Sequence, residues 1–187
     1  MQKIISLFQR NYESDRLVRD EVTPGAEWVI NGEGIATRKW DGTCCKVENG
    51  ILYKRYDSKK GKTPPVGFIP AQEPDPVTGH WPGWVAIPAD DKSPENKWHR
   101  EAFMNTPTDE LSMEGTFELV GPRINGNKEG FEKHFLIPHG TDILERAPRT
   151  YDQLKDWLDQ LRIEGIVWHH PDGRMVKIKK KDFGLKW

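Results

Sequence analysis

Hydrophobic and polar residues alternate in short runs over the first sixty positions of the chain. Such runs predict β-strands, because successive side chains of a strand point to opposite faces. The predicted strands span residues 28–30, 35–40, 43–47 and 51–56. Turn signals separate them at Asn31-Gly32, Asp41-Gly42 and Asn49-Gly50, and such pairs favour two-residue hairpins. The pattern predicts an antiparallel meander, with Lys39 at one end of a hairpin and Arg55 on the strand that returns beside it.

The alternation resumes in the second half of the chain. Residues 114–121 form a predicted strand with Glu118 on its polar face, and residues 131–138 form another. After the expected N-cap residue Thr150, apolar residues recur at helical spacing and predict a helix.

Two further strands are predicted at residues 164–168 and 174–179. The apolar residues of the last strand share one face, so Lys177 and Lys179 must both project from the other. Their backbone positions are about 7 Å apart, given a rise of about 3.3 Å per residue. Two ammonium groups at this spacing suit a phosphate chain, but on this segment alone a solvated basic edge strand is favoured.

The segment from residue 59 to residue 107 has a different character, since prolines punctuate it and periodicity is weak before residue 95. With 187 residues in all, we expect one domain, 1–187, that carries a Pro- and Trp-rich insertion at about 60–107. The aromatic residues that could anchor this segment are Phe68, Trp81, Trp84, Trp98 and Phe103. Two interpretations of this segment are open: an ordered insertion beside a functional site, and a surface segment without a function of its own.

Composition limits the partners and the compartment. The chain has 28 Lys and Arg against 29 Asp and Glu, so overall charge predicts no polyanion partner. Basic residues cluster locally between Arg174 and Lys186. The only cysteines, Cys44 and Cys45, are adjacent in sequence and cannot join distant parts of the fold. Since neither a signal peptide nor a membrane span is apparent, we expect a soluble cytoplasmic protein.

Candidate chemistry centres on the sequence Lys39-Trp40-Asp41-Gly42, where an extended segment meets a turn. A lysine held there in its neutral form can attack a nucleotide covalently. Gly42 lets the chain turn closely beneath a ligand, and the Asp41 carboxylate can accept a hydrogen bond from a ribose hydroxyl. The same residues also fit an exposed corner between a strand and a turn.

A lysyl phosphoramidate needs more than a nucleophilic amine. It also requires a metal held by carboxylates and fixed cations at the α-phosphate. Glu118 and Glu164 could supply the carboxylates, and Lys177 and Lys179 the cations. Arg55 is either a phosphate-binding fork or a solvated strand residue.

Taken together, these segments resemble the covalent nucleotidyltransferases, a superfamily of polynucleotide ligases and capping enzymes. The resemblance rests on Lys39-Trp40-Asp41-Gly42 as motif I, Glu164-Gly165-Ile166-Val167 as motif IV and Lys177-Ile178-Lys179 as motif V. Residues 117–124 are similar to motif III of phage nick-sealing RNA ligases. The run Asp-Gly-Thr-Cys-Cys at 41–45 looks closest to the vertebrate-type 5′-to-3′ RNA ligase family.

The resemblance implies a nucleotidyltransferase (adenylation) domain with an α+β fold of antiparallel sheets flanked by helices. The implied activity is that of an ATP-dependent RNA ligase, which joins RNA 3′-hydroxyl and 5′-phosphate ends through lysyl-AMP. The implied cofactors are ATP and Mg²⁺ or Mn²⁺. The resemblance implies that Lys39 carries AMP and that Gly42 lies beneath the nucleotide. Asp41 or Glu118 would contact the ribose, and Arg55 would contact the nucleotide or the 5′ end. Glu164 would bind the metal, and Lys177 and Lys179 would contact the α-phosphate. Phe135 is either the residue that stacks on adenine or a core residue.

Two departures from the family pattern keep other functions open. Phe117 stands where relatives often have glycine, and Arg38 stands where a carboxylate can read the adenine amine. The chain ends soon after motif V, so no C-terminal OB domain is expected. DNA nick sealing, GTP-dependent capping chemistry and an RNA-binding relative without catalysis are the alternatives. No protein partner is indicated, and scattered satisfied histidines are favoured over a zinc site.

Overall fold

The computed structural model describes residues 3–187, which form a mixed α+β fold of mainly antiparallel sheets with few helices. The strands in chain order are β1 (Ile5–Ser6), β2 (Phe8–Arg10), β3 (Val18–Val22), β4 (Ile35–Lys39), β5 (Thr43–Glu48), β6 (Ile51–Ser58), β7 (Ile69–Pro70), β8 (Trp81–Ile87), β9 (Gly115–Val120), β10 (Phe135–Pro138), β11 (Gly165–His169) and β12 (Met175–Lys179). The helices are α1 (Glu27–Ile30), α2 (Lys97–Asn105), α3 (Thr108–Leu111) and α4 (Tyr151–Gln160).

The chain divides into two compact units. The four-stranded unit comprises Ile4–Asp41 and Gly140–Trp187, and the six-stranded unit comprises Gly42–His139 together with Lys3. Our expectation of a single domain with an insertion at about 60–107 stays a prediction.

A sheet in the order β1-β12-β11-β4 forms the centre of the four-stranded unit. β1 pairs with β12 in parallel, whereas the other pairings in this sheet are antiparallel. Leu154 and Leu158 of α4 are fully buried against it, in one core with Trp168 and Ile178. The predicted helix is confirmed, although the Thr150 side chain makes no capping hydrogen bond to the backbone.

The six-stranded unit contains a sheet in the order β10-β9-β5-β6-β8-β7. One face packs against α2 through a core that includes Cys45, Ala102, Phe117 and Leu119. Because side chains alternate along a strand, Glu118 lies on the opposite face. The hairpin signal at Asn49-Gly50 is confirmed, since β5 and β6 pair across it and both turn residues have positive φ.

The predicted strand at 28–30 is wrong, because these residues belong to helix α1. Trp28 and Val29 are buried there. The Glu33 N–H donates to Trp28 O at 3.0 Å, and Gly32 has φ +91°. The pair Asn31-Gly32 therefore ends a helix, a position where glycine in the left-handed region is common.

The predicted hairpin at Asp41-Gly42 is also wrong. β4 pairs with β11, whereas β5 pairs with β6 and β9 in the other sheet. Arg55 is therefore not on a strand that pairs with β4. Gly42 meets a local constraint instead, because a Cβ atom there would lie 2.2 Å from the carbonyl oxygen of Leu119.

The segment between residues 59 and 107 supplies strand β8, which the sequence pattern did not reveal. Pro82 and Gly83 lie within this strand, and both residue types disfavour a strand prediction. The proposed aromatic anchors do make contacts: the rings of Phe68 and Trp81 are 5.1 Å apart, and Trp98 stacks on His134 at 4.7 Å.

The predicted strand at 131–138 is shorter in the structure, because only Phe135–Pro138 pair with β9. The Asn127 side chain bonds both backbone polar groups of Phe131, at 3.0 and 3.1 Å, and so takes the place of ladder hydrogen bonds. Within residues 3–187, no helix is long and apolar enough to cross a membrane.

Candidate active site

Lys39 ends strand β4 in the four-stranded unit, as the sequence predicted. It pairs across the sheet with Gly165 on β11, and Gly165 in turn pairs with Lys179 on β12. The two lysines therefore flank a residue without a side chain. Gly165 is required there, because a Cβ atom would lie 2.1 Å from the Ile178 carbonyl oxygen.

Glu164 provides the carboxylate between these two lysines. Its Oε2 is 2.5 Å from Lys39 Nζ, and its Oε1 is 4.0 Å from Lys179 Nζ. The Glu164 side chain is only 9% exposed. Burial raises the pKa of this carboxyl group, and the positive charges of Lys39 and Lys179 oppose that rise. The three residues form a compact charged cluster that combines an amine, an acidic group and a second cation.

The predicted alternation of β12 is confirmed. Val176 and Ile178 are buried, and Lys177 and Lys179 are half-buried on the other face. Burial is the main reason that the pKa of Lys179 falls to about 8, and a hydrogen bond with Lys181 lowers it further. Lys179 is therefore a cation whose charge is lost at mildly alkaline pH.

Asp41 follows Lys39 by two positions and is held by a residue that the sequence analysis did not single out. The indole Nε1–H of Trp187 donates a hydrogen bond of 2.7 Å to Asp41 Oδ2. Beside Lys39, the guanidinium of Arg38 lies 3.8 Å from the ring centroid of Trp40. Arg38 thus lies over an aromatic ring next to the predicted nucleophile.

A second group of predicted residues lies on the polar face of the sheet in the six-stranded unit. Glu118 Oε1 accepts a hydrogen bond from the Gly42 N–H at 3.1 Å, and the Gly42 carbonyl accepts one from Asn125 at 2.9 Å. Glu118 Oε2 is 2.8 Å from His139 Nε2. The carboxylate is therefore buried and oriented, not solvated.

Phe135 and Arg55 share this polar face with Glu118. Phe135 is half-buried and lies two residues before Ile137, the β10 partner of Glu118. Arg55 Nε donates to Asp57 at 3.1 Å, and its guanidinium lies 5.3 Å from the Trp84 ring centroid. Arg55 thus lies against an aromatic ring, and its side chain is only 15% exposed.

Cys44 lies opposite Glu118 in the pairing of β5 with β9. Burial and the Glu118 charge raise the pKa of its thiol to about 12, against the opposing charge of Arg55. Cys44 is therefore a protonated, weakly nucleophilic thiol near neutral pH.

The structure distributes the predicted site residues between the two units. The four-stranded unit holds Lys39, Asp41, Glu164, Lys177 and Lys179, and the six-stranded unit holds Gly42, Arg55, Glu118 and Phe135. Sequence reasoning missed Trp187 and His139. The alternation of Phe135, Ile137 and His139 could have indicated His139, whereas nothing local to Trp187 indicates its contact with Asp41.

Among residues 3–187, no group of three or more His, Cys, Asp or Glu side chains is arranged to hold a metal ion. A single carboxylate such as Glu164 nevertheless fits Mg²⁺, which is commonly bound by one or two carboxylates, substrate phosphates and water.

Comparison with known proteins gives the family of the chain. The family model "RNA ligase 1" matches residues 100–187. RNA ligase 1 of Rattus norvegicus and that of Mus musculus are each 30% identical to the chain, over 82% of the chain and 68% of the relative. RNA ligase 1 of Danio rerio is 29% identical, over 81% of the chain and 68% of the relative. The chain belongs to the RNA ligase 1 family. The family-model match includes Glu118, Phe135, Glu164, Lys177 and Lys179.

The lowered pKa of Lys179 gives a direct test of the cluster in this RNA ligase 1 family member. In a pH titration followed by the NMR signals of ¹³C-labelled lysine side chains, the Lys179 signal should move with a midpoint near pH 8, below the ordinary 10.5. The Glu164 charge favours the ammonium form, so Glu164→Gln should lower that midpoint further. Loss of the signal in Lys179→Arg gives its assignment. A midpoint near the ordinary value would contradict the burial of Lys179.

Proposed function

We propose that the chain is an ATP-dependent RNA ligase that uses Lys39 as the nucleophile of a lysyl-AMP intermediate. The observation that carries this proposal is the Lys39–Glu164–Lys179 cluster, in a chain that belongs to the RNA ligase 1 family. A nucleotidyltransferase (adenylation) fold for residues 1–187 is part of the proposal. The α+β architecture with antiparallel sheets supports it.

In the proposed first step, the lone pair of neutral Lys39 Nζ attacks the α-phosphorus of ATP. A nitrogen–phosphorus bond forms, the bond from the α-phosphorus to the bridging oxygen breaks, and pyrophosphate leaves. The Lys39 side chain is 21% exposed, so its surplus proton can pass to water. Lys177 and Lys179 would stabilise the charge that builds up on the phosphate oxygens.

Glu164 has a defined part in this step. In the structure it pairs with Lys39, which favours the ammonium form that cannot attack. A divalent cation such as Mg²⁺ or Mn²⁺, held by Glu164 and phosphate oxygens, would neutralise the charge of the triphosphate. Engagement of Glu164 in that role would weaken its pairing with Lys39 and favour the neutral amine.

The remaining roles are proposed from the family resemblance. Asp41 or Glu118 would contact the ribose, and Arg55 the nucleotide or the incoming 5′ end. Phe135 would stack on adenine, a role that its half-buried position on the polar face allows. A cytoplasmic location is also part of the proposal. Both cysteines are free, which is usual for proteins of a reducing compartment.

The nucleophile is tested by incubation with α-labelled ATP or GTP and Mg²⁺, followed by denaturing electrophoresis. Label from ATP should stay on the protein, should be labile to acid, and should be lost when the metal is chelated. Lys39→Arg should abolish the labelling, because the guanidinium keeps the charge beside Glu164 but is a poor nucleophile. Lys155→Ala, an exposed substitution on α4, is the matched control and should label normally. Label on the Lys39→Arg variant, or label from GTP alone, would contradict the proposal.

The acceptor is tested with matched substrates whose 3′-terminal nucleotide is ribose or deoxyribose. We expect the ribose end to be sealed at least about tenfold faster, because a site that bonds the 2′-hydroxyl is left with an unpaired polar group on DNA. Binding should also weaken steeply with salt, since phosphate contacts dominate nucleic-acid affinity. Equal or faster sealing of all-DNA ends would favour DNA nick sealing and leave the Lys39 chemistry intact.

A further inference from the structure

His139 uses both of its ring nitrogens within the six-stranded unit. Nε2 lies 2.8 Å from Glu118 Oε2, and Nδ1 lies 3.0 Å from the Thr116 hydroxyl. The His139 backbone N–H also donates to the Thr116 carbonyl at 3.1 Å. The imidazole is thus fixed at two points, and one of them is the carboxylate proposed to contact the ribose.

The hydrogen-bond partners of His139 indicate which of its ring nitrogens carries the proton. An ionised carboxylate only accepts hydrogen bonds, so Nε2 must carry the hydrogen that it shares with Glu118. In the neutral ring, Nδ1 then accepts from the Thr116 hydroxyl. The bond to Glu118 is charge-assisted and therefore stronger than a bond between neutral groups.

The second donor to Glu118 comes from the backbone. Gly42 N–H donates to Oε1, and Asn125 holds Gly42 through its carbonyl. Each Glu118 oxygen therefore has one fixed donor, which sets the plane of the carboxylate. Each oxygen keeps a second acceptor position, since a carboxylate offers about four in total.

We propose that His139 is a positioning residue that orients Glu118 for recognition of the ribose hydroxyls of the adenine nucleotide. The proposal rests on the function proposed above. In this proposal, the hydrogen-bonded chain Thr116–His139–Glu118 lets the site discriminate between ribose and deoxyribose nucleotides. Without His139, Glu118 can turn toward other donors, and its selectivity for a sugar hydroxyl falls.

The test measures equilibrium binding of AMP, 2′-deoxy-AMP and 3′-deoxy-AMP by titration calorimetry, since these nucleotides bind without turnover. For the unaltered chain, AMP should bind more tightly than at least one deoxy form. The ratio of the affinity for AMP to the affinity for that deoxy form should fall about tenfold in His139→Leu, which is the effect of losing one hydrogen bond to a charged group. His139→Gln can still donate to Glu118 and should keep the ratio within about threefold. Thr116→Val should have an intermediate effect, and Glu118→Ala should abolish the ratio.

Lysyl-AMP formation is measured in parallel, so that two kinds of failure are distinguished. If lysyl-AMP forms but His139→Leu keeps the full ratio, or His139→Gln loses it as completely as leucine does, the positioning role is overturned alone. If the leucine variant fails to fold, Thr116→Val decides instead: a reduced ratio supports the positioning role, and an unchanged ratio overturns it. If the unaltered chain neither binds AMP nor forms lysyl-AMP, the proposed function fails, and this inference fails with it.

Discussion

The ion pair between Lys39 Nζ and Glu164 Oε2 is the interaction on which the candidate active site depends. Glu164 is almost fully buried, and removal of one partner from a buried pair typically costs about 3–5 kcal/mol. Lys39 is more exposed, so solvent screening reduces that figure here. The Glu164 carboxylate also favours the ammonium form of the predicted nucleophile. In the proposed reaction, nucleotide and metal must therefore change the surroundings of Glu164 before Lys39 can attack.

The sheet of the four-stranded unit explains how these charges come together. Gly165 lies between Lys39 and Lys179 in the register of three neighbouring strands, so Glu164, one residue earlier, reaches both. A larger residue at position 165 would collide with the backbone of β12. Strand alternation then directs Lys177 and Lys179 to one face while Ile178 fills the core.

Much of this site was predictable because it depends on local patterns. The period of two in β12 gave the correct faces for its lysines, and the extended segment before Lys39 is indeed strand β4. The partner of β4 could not be predicted, since the Asp41-Gly42 signal is compatible with a hairpin and only long-range pairing with β11 decides against one. The contact between Trp187 and Asp41 spans 146 positions, and no local pattern encodes it.

Two lysines of the cluster could in principle carry AMP, because Lys179 has a lowered pKa and hence a larger neutral fraction near pH 8. We assign Lys39 as the nucleophile because it lies at the strand end before Asp41-Gly42 and because it contacts Glu164. The most direct measurement is mass-spectrometric mapping of the AMP-modified peptide after reaction with ATP and Mg²⁺. We expect AMP on Lys39 and none on Lys179. Modification of Lys179, with Lys39 unmodified, would contradict the assignment of Lys39 as the nucleophile.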